Sequence, residues 1–317
     1  MSLFSWPLRT MPIHGKNSMY MCLINIILAK GKLNIQDNGI ILKCVNFDDF
    51  GKKRYKRLQT ELEIIRMCQH PNFVEFYDCF YETDKHLAIM MMELCIGSIE
   101  SLCCVFYGIK DWTLFTEIFL YTAAKILIFL DSLGIIHRDL KPANFLFSSE
   151  LSIKLCDFGT CRIAKSSKTY VGTPYYMAPE VALNLEKDVK EYSSKIDIWS
   201  AGATAMAILM QKSLWGEGDT KKKISDRLKT EDPPLLKKVR NFAPKTSHGA
   251  DTAGKKRLMQ LKVAIGRMVV RNPENRWNAK RFKQFVSGWC ISEQGIHDYF
   301  TKLINELGQA TCESYDP

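Results

Sequence analysis

The amino-acid sequence predicts an α+β fold in two lobes. A small, mostly β N-terminal lobe with one key helix covers residues 1–94, a larger, mostly α C-terminal lobe covers 95–292, and a tail covers 293–317. Three observations carry this. At 317 residues the chain is longer than most single domains and long enough for two closely packed lobes. Short β-type runs cluster in the first 94 residues, with a further apolar strand at Ile153-Lys-Leu-Cys. Long apolar stretches at helical spacing dominate the rest.

Asn38-Gly39 is a hairpin-turn signal, and Gly39-Ile-Ile-Leu-Lys-Cys-Val reads as a buried strand. Over 54–68, Leu58, Leu62, Ile65 and Met67 recur among charges at helical spacing. His70-Pro71-Asn72 ends that helix, because proline drives the preceding residue out of the helical region. Phe73–Phe80 and His86–Leu94 read as two more strands. Phe115–Leu133 is a long apolar helix with Gly134 as its C-terminal cap, and Ile196–Met210 is a second buried helix. Residues 216–256 hold lysine runs, Pro233-Pro234 and a polar, glycine-containing stretch, which predicts a mobile connection or insertion. Helical patterning returns over Arg257–Val270 and Lys280–Trp289.

The balance of 46% hydrophobic and 25% charged residues is that of an ordinary globular protein and names no function. The formal charge of +10, from 44 Lys and Arg against 34 Asp and Glu, sits in short runs such as Lys52-Lys53-Arg54 and Lys221–Lys223. No stripe of arginines and aromatics accompanies it, so no nucleic-acid partner is expected. The eleven cysteines show no metal-ligand spacing. Cys44, Cys68, Cys79, Cys103, Cys104 and Cys156 lie in apolar segments and read as buried thiols of a reducing compartment, the cytoplasm or nucleus. The apolar run Met21–Ala29 is too short to span a bilayer, which takes about 20 residues. No membrane span and no secretory signal are expected.

The chemistry lies in His137-Arg138-Asp139-Leu140-Lys141-Pro142-Ala143-Asn144 and in Asp157-Phe158-Gly159. Transfer of a phosphoryl group to a hydroxyl needs a carboxylate to orient that hydroxyl and oxygen ligands to hold Mg²⁺ on the phosphates. Asp139 suits the first role; Asn144 and Asp157 suit the second. Lys141 can neutralise charge on the moving phosphoryl group. Ala178-Pro179-Glu180 closes the segment that Asp157 opens.

H-R-D-L-K-P-x-N, D-F-G and A-P-E in this order resemble the signature set of the protein kinase family, over roughly residues 10–290. The resemblance implies the two-lobed protein kinase fold, ATP and Mg²⁺ as cofactors, and protein substrates. It implies that Lys43 contacts the ATP phosphates and that a helix glutamate pairs with it. Glu61 and Glu63 both qualify; Glu61, nine residues before His70, is preferred, and Glu63 suits a solvated face. It further implies that Asp197 holds the catalytic-loop backbone and that Arg276 pairs with Glu180, both structural roles.

Lys141 and Gly172-Thr173-Pro174 resemble the serine/threonine class. The stretch Met91-Met92-Glu93-Leu94-Cys95 resembles the hinge of the IκB-kinase family, in its epsilon and TANK-binding branch, with the Ste20-like group as the competing resemblance. Met92 would stand at the back of the adenine pocket, and the backbone at Glu93 and Cys95 would bond adenine.

The glycine-rich loop departs from the family pattern. Its best match, Gly15-Lys16-Asn17-Ser18-Met19-Tyr20, retains only the first glycine, and Lys43 follows 28 residues later. A pseudokinase or scaffold with weakened ATP binding is therefore the alternative to an active kinase. The segment 160–173 carries hydroxyls beside Arg162, Lys165 and Lys168. A phosphate there would pair with Arg138 and its neighbours. Thr169 is the expected main site, with Ser167 next and Thr173 third, modified by an upstream kinase or by trans-autophosphorylation.

Overall fold

The computed structural model describes residues 20–24, 39–46, 52–82, 87–101, 111–164, 171–183, 191–212, 214–215, 219–242 and 252–313. In the N-terminal lobe, β1 (Tyr20–Ile24), β2 (Ile40–Asn46), β3 (Phe76–Glu82) and β4 (Leu87–Glu93) form an antiparallel sheet in the order β1-β2-β4-β3. The register Tyr20↔Cys44 between β1 and β2, and Lys43↔Met90 between β2 and β4, places Lys43 in the middle of the sheet. Helix α1 (Lys52–Met67) buries Leu58, Leu62 and Ile65, the expected stripe, together with Ile64. Met67, read as a member of that stripe, is exposed instead, because it falls with Glu63 and Arg66 on the outer face of the helix.

The C-terminal lobe is built on two apolar helices, α2 (Trp112–Ser132) and α4 (Lys195–Met210). Asp111 starts α2 by accepting the Leu114 N–H at 2.9 Å. Gly134 follows it at φ +65°, the left-handed turn that its lack of a Cβ permits. By length and composition α2 could cross a membrane, yet 72% of its most apolar window is buried among other parts of the protein. It is a core helix. The short strands β5 (Gly97–Ser98), β6 (Ile135–Ile136), β7 (Phe145–Phe147), β8 (Ile153–Leu155) and β9 (Arg162–Ile163) form two small sheets over it.

Residues 216–256 carry packed helices where a mobile connection or insertion was expected. Helices α5 (Lys221–Leu228) and α6 (Pro234–Asn241) lie there, after the short α3 (Pro179–Leu183). Lys222, Lys223, Lys237 and Lys238 are exposed while Ile224, Leu228, Leu235, Leu236 and Val239 join the core. Thr220 caps α5 by accepting the Lys223 N–H at 3.2 Å. Helices α7 (Thr252–Met268) and α8 (Ala279–Val286) complete the body. Helix α9 (Glu293–Glu313) occupies most of the tail segment, and its Phe300 ring packs edge-on against Phe115 and Phe147.

Candidate active site

Lys43 reaches across the cleft from the sheet. Its Nζ lies 2.7 Å from Glu61 Oε1 and 3.2 Å from Asp157 Oδ1. Glu61 falls on the buried face of α1 and Glu63 on the exposed face, which decides between the two glutamates. Burial works against charge on Lys43, but the carboxylates of Asp157 and Glu61 outweigh it and hold its pKa above the ordinary lysine range. Burial likewise works against charge on Asp157; the Lys43 ammonium more than offsets it, so that carboxyl sits below its usual range.

The catalytic loop follows β6. Asp139 Oδ1 accepts the Thr173 N–H at 2.8 Å, and its Oδ2 accepts from Lys141 Nζ at 2.8 Å. Lys141 also donates to the Thr173 hydroxyl at 2.9 Å. Asn144, in the turn Pro142–Asn144, donates its Nδ2 hydrogen to the Asp139 carbonyl at 2.8 Å. Lys141 and Thr173 therefore fix the Asp139 carboxylate from two sides, while Asn144 holds its main chain. Thr173, expected as the third phosphosite, has its hydroxyl bound to Lys141.

The loop backbone has its own anchor. Asp197, on α4, accepts the N–H groups of His137 and Arg138 at 2.7 and 2.8 Å. Full burial pushes its carboxyl up to about 6, with those two bonds working the other way. Burial pushes the His137 imidazole down to about 4, so it packs as a neutral ring beside Phe158. Arg138 and Asp157 adopt φ +73° and +62°, a region that side chains rarely enter. The Arg138 guanidinium donates to the carbonyls of Thr160 and Cys161. Gly172, at φ +110°, approaches so closely that a Cβ would meet the Arg138 carbonyl oxygen at 2.4 Å.

Below this, Arg276 is fully enclosed and forks onto Glu180, with Nη1–Oε1 and Nη2–Oε2 distances of 2.6 and 3.0 Å. Its remaining hydrogens go to the carbonyls of Val270, Lys195 and Arg271.

Between the lobes lies a cavity of about 520 Å³, within the range of small-molecule sites. Its wall gathers Lys43, Glu61, Met92, Glu93, Cys95, Asn144 and Asp157 from across the sequence. Asp139 and Lys141 stand beyond Asn144, outside that wall. Cys95 and Cys156 also line it, and burial pushes both thiols up to about 12, leaving them protonated. Of the cysteines read as buried, Cys68 is so, whereas Cys44, Cys79 and Cys156 are half-exposed because they flank the sheet and the cleft. Gly15, Ser167 and Thr169, like Cys103 and Cys104, lie outside the described residues.

Sequence reasoning passed over one charged residue. Lys154 sits in the apolar strand β8 and is buried against Glu93. A lysine inside an otherwise apolar run was the available signal, since such a charge needs a partner.

Residues 28–286 match the protein kinase domain as a family, well over half of the chain. This chain belongs to the protein kinase family. Among curated relatives, the kinase domain is 35% identical over 167 residues to the serine/threonine-protein kinase TAO3 of Homo sapiens, covering 51% of this chain and 18% of that protein. It is 35% identical over 162 residues to TAO1-A of Xenopus laevis, covering 50% and 16%. With the Drosophila melanogaster serine/threonine-protein kinase Tao it shares 31% over 186 residues, covering 59% and 17%. The chain thus spans less than a fifth of the length of these relatives. These relatives are serine/threonine-protein kinases; the IκB-kinase resemblance rests on the hinge residues alone.

Proposed function

We propose that this kinase domain transfers the γ-phosphate of Mg-ATP to serine or threonine hydroxyls of protein substrates. The observation that carries the reading is the Asp139 carboxylate, held by Lys141 and Thr173 with its main chain held by Asn144, at the mouth of a cleft that also presents Lys43 and Asp157. ATP would lie with adenine against the main chain at Glu93 and Cys95 and with its phosphates near Lys43. Asp157 and Asn144 offer oxygen donors on the same wall, a set that suits magnesium, which is usually held by one or two side chains plus phosphate oxygens. When bound, Mg²⁺ supplies charge neutralisation on the phosphates. Asp139 orients the substrate hydroxyl and accepts its proton, while Lys141 steadies the transferring group. Most of the rate comes from positioning and preorganised charge.

The intact Lys43–Glu61–Asp157 set supports an active enzyme over a scaffold. Activation through Thr169 or Ser167, by an upstream kinase or a second copy, belongs to the same reading. So does a reducing location, cytoplasmic or nuclear, supported by the free thiols of Cys68, Cys95, Cys156 and Cys161. The test compares the parent with Asp139→Asn for transfer of labelled γ-phosphate from Mg-ATP to a mixed Ser/Thr peptide library. Transfer by the parent alone is expected. No transfer by the parent, even after treatment with an activating kinase, would remove the enzyme reading.

A further inference from the structure

One buried ion pair lies outside the catalytic set. Lys154 Nζ donates to both Glu93 oxygens, at 2.8 and 2.7 Å, and the two side chains are 9% and 6% exposed. Glu93 Oε2 also accepts the Glu75 N–H at 3.1 Å, while the Glu93 N–H donates to the Glu75 carbonyl at 2.9 Å. The two partners belong to different lobes. Glu93 ends β4 at the adenine end of the cleft, and Lys154 lies on β8, three residues before Asp157. The same junction is stitched by Leu155 N–H to the Asn72 carbonyl at 2.8 Å and Val74 N–H to the Leu155 carbonyl at 3.0 Å.

Burying two charges costs several kcal/mol per ion, and an apolar pair of similar volume stabilises as well or better. What the ion pair supplies instead is direction: a fork of two short bonds fixes one strand end against the other.

We propose that Glu93 and Lys154 are positioning residues that hold the adenine end of the cleft at a fixed distance from Asp157, so that they govern nucleotide affinity rather than the chemical step. The proposal rests on the kinase reading only for the identity of the ligand. The variants are Lys154→Arg, which keeps charge and donors, and the apolar double variant Glu93→Leu/Lys154→Met. The readouts are the melting temperature, the Kd for Mg-ADP by calorimetry, the KM for ATP and kcat. The double variant is expected to melt within a few degrees of the parent and to raise Kd and KM together at least fivefold. Lys154→Arg is expected to stay within twofold of the parent in all four. A folded double variant that binds Mg-ADP as tightly as the parent overturns the proposal, as does a loss confined to kcat. If the double variant does not fold, Glu93→Gln decides by the same criteria. A parent that binds Mg-ADP but transfers no phosphate sinks the catalytic reading and leaves this test intact. A parent that binds no Mg-ADP overturns both.

Discussion

Gly172→Ala should disable this kinase without unfolding it. The residue sits at φ +110°, where an L side chain costs about 1–3 kcal/mol. The added methyl would also meet the Arg138 carbonyl oxygen at 2.4 Å, against ordinary contact from 3.4 Å, so about 1 Å of movement is required. Both ends of that contact are joined to the catalytic carboxylate. Arg138 precedes Asp139, and Gly172 precedes Thr173, whose N–H holds Asp139 Oδ1 at 2.8 Å. A misplacement of about 1 Å in reacting groups costs about a hundredfold in rate. The strain itself would lower the melting temperature by about 2–12 °C, at about 2–4 °C per kcal/mol. The assay is kcat at saturating Mg-ATP and peptide, at a temperature where circular dichroism shows both proteins folded. A Gly172→Ala protein with kcat within threefold of the parent would refute the claim that this close approach sets the catalytic geometry.

Glu180→Ala leaves the Arg276 guanidinium buried without its carboxylate, a change that costs about 3–5 kcal/mol. At about 2–4 °C per kcal/mol, calorimetry should show a melting temperature lower by about 6–20 °C; an unchanged value would mean that water replaces the carboxylate. His137→Phe tests the buried imidazole. Its folded pKa of about 4 lies below the unfolded value of about 6.5, so the folded state binds fewer protons between them. The stability tied to this neutral ring is complete above pH 6.5 and is lost as pH falls toward 4. Asp197, pushed up to about 6, acts in the opposite sense, so the variant must be compared with the parent at each pH. Urea unfolding should show the variant gaining on the parent by on the order of 2–3 kcal/mol between pH 7 and pH 4.5. A gap that does not change with pH would show that His137 titrates normally.

The features that could be read in the sequence were those written locally. The stripe Leu58, Leu62, Ile65 marked the inner face of α1, and the distance from His70 marked Glu61 over Glu63, which lies on the outer face. The loop from His137 to Asn144 named its own chemistry, because Asp139, Lys141 and Asn144 act within a few residues of one another. Helices α5 and α6 escaped notice since each is only eight residues long and outwardly lysine-rich. The spacing Ile224–Leu228 was there, but two apolar positions do not establish a period. The Glu93–Lys154 pair was hidden for a different reason: its partners lie 61 residues apart, and only the packing of one lobe on the other brings them together.

The same separation in sequence gives the active site a history. The N–H groups of His137 and Arg138 bond a carboxylate that enters the chain 60 residues later. A ribosome adding about 5–20 residues per second would deliver Asp197 about 3–12 s after His137. Until then the N–H groups of His137 and Arg138 lack the Asp197 carboxylate, and Asp139 belongs to a loop without its final shape. The catalytic loop is therefore made early and takes its final shape late, once α4 has entered the chain.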